Sequence, residues 1–207
     1  MNLNKFRIFL EGSEPDGVDC HSFPPDKGNG SSMEVESTLL LYSLVRRLRP
    51  LVICETGTNF GACASALALG LEDNWMDYRH FSSGYVFTVD QIDYPENEIL
   101  WNRLGLQGFI QKVIGDSRTV SPPRNIDMLI LDSDHDTDFV VEEWNHYRPF
   151  LNSRQSLVAV HDSRLDVRAT AAMRIIVAQL ESEGEQFGYV PLRNMRGLDL
   201  IQLRAKE

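Results

Sequence analysis

The run Val52-Ile53-Cys54-Glu55-Thr56-Gly57-Thr58-Asn59-Phe60-Gly61 constrains the fold more than any other stretch of the chain. A short β-branched apolar segment ends in an acid and a glycine-containing turn. The small-residue run Ala62-Cys63-Ala64-Ser65-Ala66-Leu67-Ala68-Leu69 then opens a helix. Strand, turn and helix in that order make a βα unit, whose helix N-terminus presents free N–H groups to the point where the turn lies. Gly57 and Gly61 permit positive φ and close backbone approach. The spacing Gly-x-x-x-Gly matches neither Gly-x-Gly-x-x-Gly nor a phosphate loop ending in Gly-Lys-Ser/Thr. The carboxylate of Glu55 would repel a pyrophosphate and suits a cationic or hydroxyl-bearing ligand. An ordinary strand-to-helix turn with no ligand would read the same way.

The alternation continues along the chain. Leu39, Leu40, Tyr42, Leu44, Val45 and Leu48 recur at helical spacing and predict a helix from Met33 to Arg49, stopped by Pro50. Strands are expected at Leu51–Glu55, Tyr85–Asp90, Gly108–Ile114, Met128–Asp132 and Leu157–His161, with helices such as Asp138–Phe150 and Val167–Glu183 between them. Such short Val/Ile/Leu-rich runs read as strands buried on both faces, which means a parallel sheet with helices above and below. Phe187–Leu192 and Asp199–Leu203 read as a closing antiparallel hairpin turning around Asn194–Gly197. The fold class is therefore α/β, Rossmann-like and doubly wound.

With 207 residues and 43% hydrophobic content, the chain builds one sizeable core. Residues 1–32 read as an irregular leader or cap, being rich in Gly, Pro, Ser and Asp from Gly12 onward, and residues 33–207 as the folded domain. A net charge of −10 argues against a nucleic-acid surface. The apolar patch Phe6–Leu10 is too short and too charged for a signal peptide or membrane span, and Cys20, Cys54 and Cys63 lack metal-type spacing. A soluble cytoplasmic protein with reduced thiols is expected, with self-association left open.

Glu55, Asp90, Asp116, Asp132 and Asp162 each follow an apolar run. In an open parallel sheet the carboxyl ends of the strands share one edge, where ligands bind. Each Asp alone could be a helix N-cap. Asp90, at the end of the second strand, is placed to accept hydrogen bonds from ribose hydroxyls. A second group is Asp132-Ser133-Asp134-His135 after the fourth strand and His161-Asp162 after the fifth. Adjacent strand ends are neighbours, so Asp132, His161 and Asp162 could meet around one divalent cation. A hydrogen-bonded core histidine with a capping aspartate is the alternative, and His135 could equally be a solvated loop residue.

Together these residues resemble class I S-adenosylmethionine-dependent O-methyltransferases, the small-molecule kind that includes catechol, caffeoyl-coenzyme A and macrolide-sugar enzymes. The resemblance runs from about Ser31 to the C-terminus and rests on Glu55-x-Gly57-x-x-x-Gly61 as the cofactor signature. It implies a seven-stranded sheet with one antiparallel strand. It implies that S-adenosylmethionine is held by Glu55, Gly57, Thr58, Asn59, Gly61, Asp90, Gln91, Asp116, Ser117 and Asp132, with Ser31–Glu34 near the methionine moiety. It further implies a divalent cation on Asp132, His161 and Asp162, magnesium first, with manganese, zinc or iron open because histidine is a softer ligand. His135, at Asp-x-x-His spacing, would be the general base, and the acceptor a small-molecule hydroxyl. The fifth-strand pair departs from the family pattern by being His-Asp instead of Asp-Asn or Glu-Asp. A noncatalytic cofactor-binding protein and a nicotinamide-dependent oxidoreductase are the rival readings. The second lacks its glycine fingerprint and a Tyr-x-x-x-Lys pair.

Overall fold

A computed structural model describes residues 5, 33–78, 83–122, 125–152, 156–164, 167–193 and 196–204. The leader read from residues 1–32 and the tip of the closing hairpin at residues 194 and 195 lie almost wholly outside them. Seven strands form one sheet: β1 (Val52–Thr56), β2 (Tyr85–Asp90), β3 (Ile110–Ile114), β4 (Met128–Leu131), β5 (Leu157–His161), β6 (Phe187–Leu192) and β7 (Leu198–Leu203). Their order across the sheet is β3-β2-β1-β4-β5-β7-β6. The helices are α1 (Val35–Leu48), α2 (Ala62–Asp77), α3 (Pro95–Leu104), α4 (Thr137–Tyr147) and α5 (Val167–Ser182). By internal contacts the chain makes two compact units.

The first unit comprises Met1–Leu51, Thr58–Thr88 and Ile92–Val113. Helix α1 stops where the sequence requires: Arg49 takes the left-handed conformation, its N–H closing on Val45 O, and Pro50 cannot continue the ladder. α1 meets α2 through a buried hydrogen bond from Tyr42 Oη to Asp73 at 2.7 Å. Burial beside that carboxylate pushes the Tyr42 hydroxyl well above its ordinary pKa, which keeps it a donor. Helix α3, which the strand pattern does not call, begins with Pro95 in its first turn and ends at Gly105. A 3₁₀ turn at Gln107–Phe109 follows, so β3 starts at Ile110, two residues later than the apolar run suggests.

The second unit comprises Val52–Gly57, Val89–Gln91 and Ile114–Glu207. β1 pairs in parallel with β4, Ile53 opposite Met128, and β4 with β5, Met128 opposite Leu157. β7 runs antiparallel to both β5 and β6. β1, β4 and β5 are buried along their whole length, as expected of strands covered on both faces. β3 departs from that expectation and is only partly buried, because it is the outer strand of the sheet. α4 lays Val140, Trp144 and Tyr147 on the core at helical spacing. Pro149 lacks the N–H to extend it, and the predicted helix to Phe150 finishes as a 3₁₀ turn at Arg148–Phe150.

Candidate functional site

The edge that matters is built where β1 gives way to its turn. Glu55 lies inside β1 and is fully buried, and Thr56 is the last strand residue. Thr56 O accepts from Asp132 N at 3.2 Å, and Gly57 N donates to Val89 O at 2.8 Å. These bonds stitch the carboxyl ends of β1, β2 and β4 together. Gly57 sits at φ 84°, and a Cβ there would lie 2.2 Å from Asp132 O. Its glycine is thus demanded by the chain's own β4 loop. In the first unit Thr58 shares a hydroxyl hydrogen bond with Thr88 at 2.7 Å, and Asn59 is left-handed at φ 47°. Gly61, at φ 81°, caps α2 with its Cβ direction closed by Asn97 and Trp101 at 2.8 Å. Asn97 and Trp101 were not legible as partners of the turn.

Asp90 closes β2, its carbonyl taking Gly115 N at 2.8 Å, and Gln91 beside it is exposed. Asp116 is committed to a neighbour. Arg118 grips it through Nε at 3.0 Å, Nη2 at 2.7 Å and its backbone N at 2.9 Å. Those bonds hold its carboxyl down at about 2. Arg118 also reaches Glu142 at 2.9 Å and lies over the Phe139 ring, 4.3 Å from its centroid. The Asp116–Ser117 loop, expected from the resemblance to hold the cofactor, therefore carries an arginine and an aromatic face beside its acid.

Beneath this edge stands Glu143, which sequence reasoning missed. It is fully buried on α4 and receives hydroxyls from Ser133 at 2.6 Å, Ser117 and Thr56. Three strand-end loops are tied to one carboxylate. Its Oε2 has no hydrogen-bond partner among the described residues, and burial drives its pKa up to about 7 against the three hydroxyls, which lower it. The signal was present in the sequence: Glu143 is three residues after Val140 and four before Tyr147, a charged residue on the helix's apolar stripe. A carboxyl with a raised folded pKa holds its proton longer than the unfolded chain does. Stability must therefore fall as pH rises from about 4.5 to about 7, by about 3 kcal/mol for a shift of this size. Glu143→Gln should abolish that slope in urea unfolding between pH 5 and 8. A variant keeping the parental slope would assign it to another group, and Asp116, which titrates below this window, could not supply it.

The last cluster is at β4 and β5. His161, buried at the end of β5, places Nδ1 2.8 Å from Asp132 Oδ1 and 3.5 Å from Asp162 Oδ1. Asp162 is buried and takes φ 55°, a costly conformation for a residue with a Cβ. Its Oδ2 lies 3.1 Å from His135 Nε2 and accepts the Arg196 guanidinium. Its Oδ1 has no hydrogen-bond partner among the described residues. The structure thus brings Asp132, His161, Asp162 and His135 into one neighbourhood, but among the described residues no single set of ligand atoms within 4.8 Å of one another includes Asp132 with His161 and Asp162. Arg196 was not foreseen. It arrives with the β6–β7 turn, and no local pattern marks it.

A profile of the family described as "Methyltransferase domain" matches residues 54–163. No curated protein matches by sequence. Solved structures share the fold. Cofactor-bound Rv0187 from MTB superposes with a TM-score of 0.68 at 18% identity, over 98% of this chain and 91% of that one. The O-methyltransferase TomG from Streptomyces achromogenes, solved with SAM, gives 0.68 at 15%, over 96% and 89%. The O-methyltransferase from Bacillus cereus, solved with SAH, gives 0.65 at 15%, over 99% and 90%. Among the described residues no helix is long and apolar enough to cross a membrane.

Proposed function

We propose, on the premise that the chain belongs to the methyltransferase domain family, that it transfers a methyl group from S-adenosylmethionine to a hydroxyl of a small molecule. The observation that carries the hydroxyl acceptor is His135 held by a buried carboxylate, Nε2 to Asp162 Oδ2 at 3.1 Å, on the edge that also carries Glu55, Gly57 and Asp90. The donor set fits the cofactor: Glu55 is a buried carboxylate, Asp90 an acid at a strand end, and Thr56 to Ala62 contain no lysine or arginine for a phosphate. When bound, S-adenosylmethionine supplies an electrophilic methyl carried on a sulfonium. Asp90 would accept from the ribose hydroxyls, and the acidic surroundings of Glu55 favour a cation.

His135 is the proton acceptor in this reading. Its Nε2 faces the Asp162 carboxylate, so that with the proton on Nε2 the other ring nitrogen, Nδ1, is the acceptor, the arrangement by which an aspartate fixes a catalytic imidazole's tautomer. As the acceptor oxygen bonds to the methyl carbon and the carbon–sulfur bond breaks, the hydroxyl proton passes to Nδ1. The imidazolium that results is stabilised by Asp162. No covalent enzyme intermediate is involved. The protein contributes alignment and charge.

The divalent cation implied by the resemblance fits these residues poorly. Asp132 Oδ1 and His161 Nδ1 are bonded to each other and Asp162 Oδ2 to Arg196, so an ion there would have to displace those bonds and meet the guanidinium. No step above passes through a metal.

Calorimetric titration with S-adenosylmethionine, its demethylated product and NAD tests the cofactor. S-adenosylmethionine should bind, and Asp90→Ala should weaken it about tenfold or more, because a hydrogen bond to a charged acceptor is worth about 1.5–3 kcal/mol. Binding of NAD alone would overturn the reading, and an unchanged affinity in folded Asp90→Ala would place the ribose elsewhere.

A further inference from the structure

We propose that Arg196 is the resident cation of this site: a positioning residue that neutralises Asp162, holds it on His135 and takes the place of a divalent metal, so that the site binds none. The role in catalysis rests on the methyltransferase reading above, whereas the exclusion of metal does not. Asp162 is almost completely buried, and a buried carboxylate needs a counter-charge. The guanidinium supplies it, donating to Oδ2, the oxygen that His135 Nε2 also faces. A guanidinium stays charged at any accessible pH and keeps a fixed fork geometry, so it does permanently what a bound dication does only when loaded.

Arg196 is built into this position. Arg164 N donates to Arg196 O at 2.9 Å, which fastens the β6–β7 turn to the loop that carries Asp162. Gly197, at φ 90°, lets the two segments meet, since a Cβ there would lie 2.5 Å from Arg164 Cγ and 2.7 Å from Ser163 Oγ. Two residues further, in β7, Asp199 is fully buried and accepts from Ser163 at 2.9 Å and Arg164 at 3.2 Å. Loop and hairpin are thus locked together, which holds the Arg196 backbone beside the loop that carries Asp162. A dication at Asp162 would have to displace the guanidinium or sit against it, with like charges desolvated side by side.

Manganese titration of the full chain, followed by electron paramagnetic resonance, tests this without any knowledge of the acceptor. The parent should show no saturable Mn²⁺ binding up to millimolar concentration. Arg196→Ala should gain a site at least about tenfold tighter, and adding Asp162→Asn should remove it. Arg196→Lys, which keeps the charge, should still bind none and serves as the folded comparison if the alanine variant loses structure. Saturable Mn²⁺ binding by the parent that Asp162→Asn abolishes would overturn the proposal. So would a folded Arg196→Ala that binds no Mn²⁺, since the arginine would then not be what keeps the ion out. Failure of S-adenosylmethionine to bind in the parallel calorimetric titration would instead overturn the methyltransferase reading and leave the manganese result standing.

Discussion

His135→Ala is expected to lower turnover about 10²–10⁴-fold while leaving affinity for S-adenosylmethionine nearly unchanged. The position of the ring carries this split. Its partner is Asp162, 3.1 Å from Nε2, which is not one of the groups assigned to the cofactor. The other histidine of the cluster cannot substitute for it. The side chain of His161 is 1% exposed and donates to or accepts from Asp132, whereas that of His135 is 31% exposed and open to an incoming acceptor. Asp162→Asn should also slow turnover, since the imidazolium loses its counter-charge and the ring its orienting acceptor. Screening small hydroxylated acceptors with a product-detection assay provides the reaction in which to measure it. A His135→Ala enzyme with the parental rate would make the histidine a bystander.

What the sequence made legible follows from how local the cause is. Strands β1, β4 and β5 are each fixed by a continuous apolar run, and their adjacency in the sheet is what brings Asp132 beside His161 and Asp162. Chain direction alone sends the residues after parallel strands to one edge, so a reader of the sequence can group the acids. The partners that tune them come from elsewhere. Arg118 is two residues from Asp116, yet its bidentate grip depends on a turn geometry that composition does not encode. Glu143 could have been suspected from its place on the apolar stripe of α4. That it gathers hydroxyls from three loops is a property of the assembled unit. Arg196 reaches Asp162 only because β7 returns antiparallel to β5, a pairing between segments 34 residues apart at the contact. The departure of the fifth-strand pair to His-Asp was visible. The arginine that accompanies it was not.

Gly57→Ala should cost about 2–5 kcal/mol of stability, the sum of about 1–2 kcal/mol for a Cβ in the left-handed region and about 1–3 kcal/mol for overpacking. The contact decides that the larger figure applies. The new methyl would lie 2.2 Å from Asp132 O and 2.7 Å from its carbonyl carbon, and backbone in a paired strand end cannot swing aside as a flexible side chain can. Asp132 N is bonded to Thr56 O, so relief requires breaking the stitch between β1 and β4. The consequence for function is direct, because the same displacement moves Asp132 and the loop leading to His135. Gly184→Ala isolates the two contributions. It sits at φ 65° with nothing within 4 Å of its would-be Cβ, so it should show the conformational cost alone, about 1–2 kcal/mol, and leave S-adenosylmethionine affinity intact. Urea unfolding of both variants, with calorimetry at a denaturant-free temperature where both are folded, makes the comparison. Equal destabilisation of the two would show that close approach to Asp132 is not what demands the glycine at position 57.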